Sequence, residues 1–275
     1  MSDRMTGQQR LAAYVETWHR ACTDFVTLAR TLTEDEVTLP TDLPGWSVHD
    51  NVAHTAHLEA VLAGAPEETL DVPDGLAHVR GPMHRYTEQG VLARRDRTVA
   101  ELADEIESAV ATRYAALRAD PPVDGSSAPP RTPGGAPWDN ETLLANRPLD
   151  VWMHEQDIRR AIGRPGGYDS PAAAHTLRRL GASLPMVLGK RVAPPAGTSV
   201  LIEVPEASCR FGARMGDDGR AIRAVPEQPT VRVSLTPEAF VVLAGGRRGV
   251  DAVEAAYDGD EELGRRLLTS MAVTP

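Results

Sequence analysis

The chain has 275 residues, of which 41% are hydrophobic and 25% charged, which is ordinary globular content. This length exceeds the common size of a single domain, so we expect two domains. The formal net charge is −10 and the sequence has no basic stripe, which argues against nucleic-acid binding because a polyanion is bound by clustered Lys and Arg. We find no apolar run of about 18 residues and no apolar N-terminal segment, so we expect a cytoplasmic protein without a membrane span or signal peptide.

The cysteine content limits the kinds of metal site that the chain can form. Cys22 lies in a helical pattern and Cys209 in a strand-like one. Two isolated cysteines are too few for a disulfide framework or a thiolate cluster. Any metal site should therefore use nitrogen and oxygen ligands.

The first 190 or so residues carry helical patterns. Apolar residues at three- and four-residue steps from Leu11 to Leu32 predict one long helix. Ser47 and Asp50 form a capping box that opens a second helix, which ends at Gly64. Further helices are predicted over residues 75–92 and from Thr98 to about residue 117. Residues 120–137 are rich in Pro, Gly and Ser and predict a long loop, which in a compact domain is usually functional or mobile.

The pattern changes in the last third of the chain. Pro148 suits the first turn of a helix that Gly163 closes, and another helix should run from residue 170 towards 190. After a Pro/Gly segment at 193–197, alternation predicts strands over 199–204, 208–215 and 230–235, followed by helices from Thr236 and over 260–271. The domain boundary is therefore predicted near residues 192–198.

Two of the predicted helices carry the residues most typical of a catalytic site. His54 lies in the second helix, and Asp150 and His154 stand four residues apart in a later one. Residues four apart share a helix face, so this carboxylate and imidazole can converge, and a ligand from a neighbouring helix would complete the site. Two imidazoles, one carboxylate and an open fourth position are the ligands of a catalytic zinc.

The identity of the first ligand has an alternative. A lone histidine on a helix is more often a hydrogen-bonded core residue, and an Asp/His pair four apart is by itself a weak signal. His57, which lies three residues after His54, could replace or assist it. We favour His54 because Asp50, one turn earlier, could orient its ring.

The motifs around these residues resemble a known family. The segment at 43–54, which contains Gly45-Trp46-Ser47, and the segment at 150–159, which contains His154-Glu155-Gln156-Asp157, resemble the mycothiol-dependent maleylpyruvate isomerase family of the DinB-like superfamily. Residues 243–247 and 259–271 are similar to the small α/β domain of that family, which itself resembles sterol-carrier domains. The resemblance covers nearly the whole chain.

This resemblance implies a fold and a set of ligands. The expected fold is α+β: a DinB-like antiparallel four-helix metal-binding bundle over residues 1–191, followed by a small α/β sterol-carrier-like domain over 198–275. The implied ligands of a divalent metal, usually zinc, are His54, Asp150 and His154, and the implied cosubstrate is mycothiol. The acidic ligand of the isomerase is a Glu, whereas Asp150 is shorter, so metal affinity and substrate geometry need not be the same.

The implied activity is isomerisation of a small electrophile or transfer of sulfur to it, because a thiol at zinc becomes a nucleophilic thiolate. Arg247 could hold a substrate carboxylate, as could its neighbour Arg248, although both could equally be solvated turn residues. Two alternatives remain open: a carrier or sensor for an apolar ligand, and a hydrolase that uses zinc-bound water. We expect small-molecule partners, no nucleic acid, no membrane, and a monomer or homodimer.

Overall fold

The computed structural model describes residues 5–274. The chain divides between Ala172 and Ala173 into two compact units, the first helical and the second containing a sheet. The fold is therefore α+β, as predicted. The division falls about twenty residues before the Pro/Gly segment at 193–197. That this segment separates two folding units, 1–191 and 198–275, stays a prediction.

Four long helices form the body of the first unit. Its helices are α1 (Gly7–Ala29), α2 (Glu34–Val37), α3 (Val48–Leu62), α4 (Pro82–Leu92), α5 (Val99–Ala119) and α6 (Asn140–Ala161). Both α1 and α3 pack against α5 and α6, which closes a four-helix bundle. Capping boxes open four of the helices, and their N-caps are Thr6, Thr33, Ser47 and Thr98.

Two helices of the first unit have boundaries that differ from the sequence predictions, and in the second unit the helix predicted from residue 170 towards 190 ends at Gly181. Helix α6 begins at Asn140 with Asp139 as its cap, so Pro148 lies inside the helix rather than in its first turn. A proline there removes one backbone hydrogen bond, and the burial of most of the apolar residues around it in the bundle outweighs that loss. The third predicted helix is shorter than expected, because only Pro82–Leu92 is helical and residues 65–81 form a loop.

The second unit is built on a five-stranded mixed sheet. Its strands are β1 (Ser199–Val204), β2 (Cys209–Met215), β3 (Ala221–Arg223), β4 (Val231–Ser234) and β5 (Ala256–Gly259), in the order β3-β2-β1-β4-β5. Strands β1 and β4 pair in parallel and the other neighbours are antiparallel. The short edge strands β3 and β5 were not predicted, because β3 has only three residues and β5 contains Asp258 and Gly259, which are residue types depleted in strands.

The helices of the second unit account for most of its remaining regular structure. Helix α7 (Pro171–Gly181) begins at the division between the units and is followed by α8 (Leu184–Met186), a π-helical segment (Val187–Val192), α9 (Pro237–Ala244) and α10 (Glu261–Thr269). Phe211 of β2 stacks on Phe240 of α9 with ring centroids 5.2 Å apart. Across residues 5–274, no helix is both long and apolar enough to span a bilayer.

Helices α3 and α4 pack closely at Gly90, which leaves no room for a side chain there. A Cβ atom on Gly90 would lie 2.2 Å from ring atoms of His57, which is fully buried. In open space, Gly→Ala in a helix would stabilise the protein by about 1 kcal/mol. At Gly90 we expect overpacking to dominate, so Gly90→Ala should lower the free energy of unfolding by about 1–3 kcal/mol in a denaturant titration.

The matched control is Gly7→Ala in the first turn of α1, where no atom other than those of its chain neighbours and nearby helix backbone lies within 4 Å of the added carbon. Its free energy of unfolding should stay the same or rise slightly. Equal free energies of unfolding for the two variants would contradict the close packing of α4 on His57.

Candidate metal centre

Helices α3 and α6 bring the three predicted ligands to one point. His54 comes from the middle of α3, and Asp150 and His154 come from successive turns of α6. Nε2 of His54 lies 3.7 Å from Oδ2 of Asp150, and Nε2 of His154 lies 3.8 Å from Oδ1 of the same carboxylate. One ligand atom from each of the three residues lies within 4.8 Å of the others.

The geometry and chemistry of this group fit a divalent metal. Bonds of about 2.0–2.2 Å from zinc to nitrogen and oxygen place tetrahedral ligand atoms roughly 3.3 Å apart. The two imidazole–carboxylate separations of 3.7 and 3.8 Å are only slightly longer, so side-chain rotations would bring the three ligand atoms to these distances. The imidazoles of His54 and His154 are buried, whereas the side chain of Asp150 is 23% exposed. Solvent therefore reaches the group from the side of the carboxylate.

Asn51 orients the ring of His154. The amide nitrogen of Asn51 donates to the carbonyl of Ser47 at 2.9 Å, so its Oδ1 faces Nδ1 of His154 at 2.8 Å. Because a carbonyl oxygen only accepts, the proton of His154 resides on Nδ1 and the lone pair of Nε2 is directed towards Asp150. Most metal-binding histidines in proteins have this second hydrogen bond. Asn51 thus belongs to the candidate site, and the sequence motifs did not single it out.

The capping box of Ser47 and Asp50 is confirmed, but the expected role of Asp50 in orienting the ring of His54 is wrong. Its Oδ2 accepts hydrogen bonds from the backbone nitrogen and hydroxyl of Ser47, at 2.8 and 2.7 Å, and so caps α3. Nδ1 of His54 is buried without a hydrogen-bond partner among residues 5–274. The indole of Trp46 packs beside this imidazole with ring centroids 5.0 Å apart. Packing, rather than a carboxylate, therefore orients the ring of His54.

His57 does not belong to the group. It is fully buried, its ring centroid is 5.1 Å from that of Tyr86, and its Nδ1 lies 3.5 Å from a guanidinium nitrogen of Arg94. Burial, helped by the charge of Arg94, lowers the pKa of His57 to about 3. His57 is therefore a neutral core residue that packs against α4.

Arg147 forms buried ion pairs with both Asp150 and Glu59. Arg147, one turn earlier on α6, donates to Oδ2 of Asp150 at 2.9 Å and to Oε1 of Glu59 on α3 at 2.7 and 3.1 Å. Arg147 and Glu59 are 1% and 0% exposed. Burial opposes ionisation of Asp150, but the charge of Arg147 holds its pKa well below the usual value. The carboxylate is therefore ionised at neutral pH.

Arg147 and Glu59 were not recognised in the sequence. The available signal was weak: an arginine three residues before Asp150 shares its helix face, and Glu59 interrupts a run of apolar and neutral residues in α3. Either pattern is common on exposed helices, and only the packing of α3 against α6 shows that both side chains are buried.

Arg247 lies in the second unit, in the turn after α9. Its guanidinium donates to the carbonyl of Gly245 at 2.7 Å and to the hydroxyl of Thr274 at 3.1 Å. The side chain is partly buried, whereas Arg248 is exposed. These contacts join the turn to the C-terminal segment, and a catalytic role for Arg247 stays a prediction.

Comparisons with known proteins agree with the motifs. Residues 18–159, just over half of the chain, match the family model described as the mycothiol maleylpyruvate isomerase N-terminal domain. A crystal structure of the mycothiol-dependent maleylpyruvate isomerase has a TM-score of 0.57 and 21% identity, covering 92% of this chain and 96% of that one. A histidine-to-alanine mutant of that isomerase gives a TM-score of 0.56 with the same identity and coverage. No curated protein matches the sequence.

At 21% identity, the likeness to these crystal structures shows the fold alone. The family match has greater weight because it contains the whole of α3 and the ligand-bearing turns of α6. It confirms the predicted family and the prediction that this family is one of enzymes. The chain belongs to the mycothiol maleylpyruvate isomerase N-terminal domain family.

Proposed function

We propose that the protein is a metal-dependent enzyme that uses the low-molecular-weight thiol mycothiol to isomerise, or transfer sulfur to, a small electrophile. The convergence of His54, Asp150 and His154 inside the matched region is the observation that carries this proposal. Its partners would be small molecules in the cytoplasm, and the protein itself a monomer or homodimer.

The three side chains suit zinc. Two imidazoles and one carboxylate leave a fourth position open, as in catalytic zinc sites. When bound, the metal would supply the positive charge that favours a thiolate over a thiol. The protein's own part is to hold the donors in their metal-binding state: Asn51 keeps the proton of His154 on Nδ1, and Arg147 keeps Asp150 ionised.

The thiolate would then act on the electrophile. Its sulfur forms a bond to the activated carbon while the electron pair of the conjugated double bond shifts towards the electron-withdrawing group. Rotation about the resulting single bond, followed by re-formation of the double bond and expulsion of the thiolate, would give isomerisation. Protonation of the carbanion with retention of the C–S bond would give S-transfer. Arg247 is proposed to bind a carboxylate of the substrate, with Arg248 as the alternative.

The first prediction from this proposal concerns metal content. Wild-type protein should hold about one divalent metal per chain, because three protein ligands suffice for a catalytic zinc. His54→Ala, Asp150→Ala and His154→Ala should each lose most of it, as measured by elemental analysis after dialysis. His57→Ala is the matched control on α3 and should retain the metal if it folds. Full occupancy in all three ligand variants would contradict the assignment.

The second prediction concerns the thiol and tests the proposed function directly. Addition of mycothiol to cobalt-substituted protein should produce an intense near-ultraviolet sulfur-to-metal absorption together with proton release. His154→Ala should abolish the band, whereas Cys22→Ser and Cys209→Ser should keep it. Glutathione should give a weaker band if the site recognises the sugar part of mycothiol.

The outcomes of this experiment separate the proposed enzyme from its alternatives. No spectral change with any small thiol, together with turnover in its absence, would favour a hydrolase. A metal-free protein that co-purifies with lipid would favour a carrier. Either result would overturn the thiol-dependent enzyme.

The third prediction concerns Arg247. If its guanidinium binds a substrate carboxylate, Arg247→Gln should lower kcat/KM roughly tenfold to a hundredfold for a carboxylate-bearing electrophile while metal content stays the same. Thr274→Ala removes one intramolecular partner of Arg247 and should have little effect on turnover. An equal loss in Thr274→Ala would indicate a structural role, and a loss in Arg248→Gln alone would move the function to that residue.

A further inference from the structure

A cluster of buried charges lies behind the candidate metal centre, between α3, α5 and α6. Glu59 accepts two hydrogen bonds from Arg147, and its second oxygen lies 3.5 Å from a guanidinium nitrogen of Arg113 on α5. The guanidinium of Arg113 also stacks over the ring of Trp18 at 4.6 Å. All three charged residues are at most 7% exposed.

A contribution to stability does not by itself explain why these buried charges are present. Removing charges from water costs more than their mutual attraction commonly returns, and apolar residues of similar volume would often be as stable. The cluster is continuous with the metal centre, because Arg147 divides its hydrogen bonds between Glu59 and Asp150. The charge on Glu59 therefore acts on the guanidinium that holds a metal ligand.

The charges of this cluster balance. Glu59 and Asp150 carry two negative charges, and Arg113 and Arg147 carry two positive ones. Without Glu59, Arg147 would still bind Oδ2 of Asp150, but the cluster would carry a net positive charge directly behind the site. In a protein interior, one unit charge within several ångströms of a divalent cation changes its affinity by roughly tenfold or more.

We propose that Glu59 is a positioning residue of the metal centre: it neutralises Arg147, so that Arg147 can fix the carboxylate of Asp150 without repelling a cation. This inference rests on the proposed function, because it requires that His54, Asp150 and His154 bind a metal. It concerns a residue that makes no contact with the three ligand atoms and acts through Arg147.

The test compares Co²⁺ affinity in variants of the full chain. Glu59→Gln keeps an oxygen that can accept from Arg147 but removes the charge, so its dissociation constant for Co²⁺ should rise at least tenfold. Glu59→Asp keeps the charge and should bind Co²⁺ more tightly than Glu59→Gln. The double variant Glu59→Gln/Arg147→Gln restores the balance of charge and should also bind more tightly than Glu59→Gln alone, which a purely structural role does not predict.

The matched control is Glu105→Gln. Glu105 pairs with the buried Arg94 in the same unit, so this change removes one negative charge from a guanidinium pair elsewhere in the bundle. Its dissociation constant for Co²⁺ should stay within about threefold of the wild type, since the closest charges dominate the Coulomb energy.

Distinct results overturn the two proposals. If wild-type protein binds Co²⁺ but Glu59→Gln binds it equally well, or the double variant binds it more weakly than Glu59→Gln, the role of Glu59 is wrong. If wild-type protein binds no Co²⁺, the proposed function fails and this role with it. If Glu59→Gln does not fold, the double variant must bind Co²⁺ within about tenfold of the wild type, and loss of binding there would overturn the proposal.

Discussion

The packing of α3 against α6 is the constraint on which the candidate site depends. Neither helix holds a complete ligand set, since α3 supplies His54 and α6 supplies Asp150 and His154. The same two helices are joined by the buried hydrogen bonds of Arg147 to Glu59 and by the hydrogen bond of His154 to Asn51. A shift of one helix along the other would break both contacts and separate the three candidate ligands. The geometry of the site therefore depends on the packing of the bundle.

The surroundings of Asp150 and His154 favour an ionised carboxylate and an imidazole whose proton is on Nδ1. The depressed pKa of Asp150 means that its ionisation favours the folded state above the ordinary carboxyl pKa, and that this contribution is lost as the pH falls through the lower folded value. The hydrogen bond from His154 to Asn51 places the free lone pair on Nε2. Nε2 of His154 and the ionised carboxylate of Asp150 are therefore available to a metal.

The sequence predicted the positions of the three candidate ligands better than it predicted their surroundings. Spacing and capping signals placed His54 mid-helix and Asp150 four residues before His154, because these patterns are local. The presence of Pro148 led to a wrong prediction for the start of α6. A proline inside a helix is stabilised by tertiary burial, which the local sequence does not show. The pairing of Arg147 with Glu59 joins residues 88 positions apart, and no pattern within either helix reveals it. Helical spacing suggested that Asp50 orients the ring of His54, but its carboxylate only caps α3, as the capping-box pattern also predicted.

The central claim is that α3 and α6 together form a metal site with one position open to a thiol. X-ray absorption at the zinc edge measures it most directly, because it reports the number and type of ligand atoms. We expect two imidazoles with additional oxygen donors at about 2.0–2.2 Å in the zinc-loaded protein, and one sulfur at about 2.3 Å after mycothiol is added. A shell without imidazole scattering, or one that contains sulfur before any thiol is added, would contradict the account.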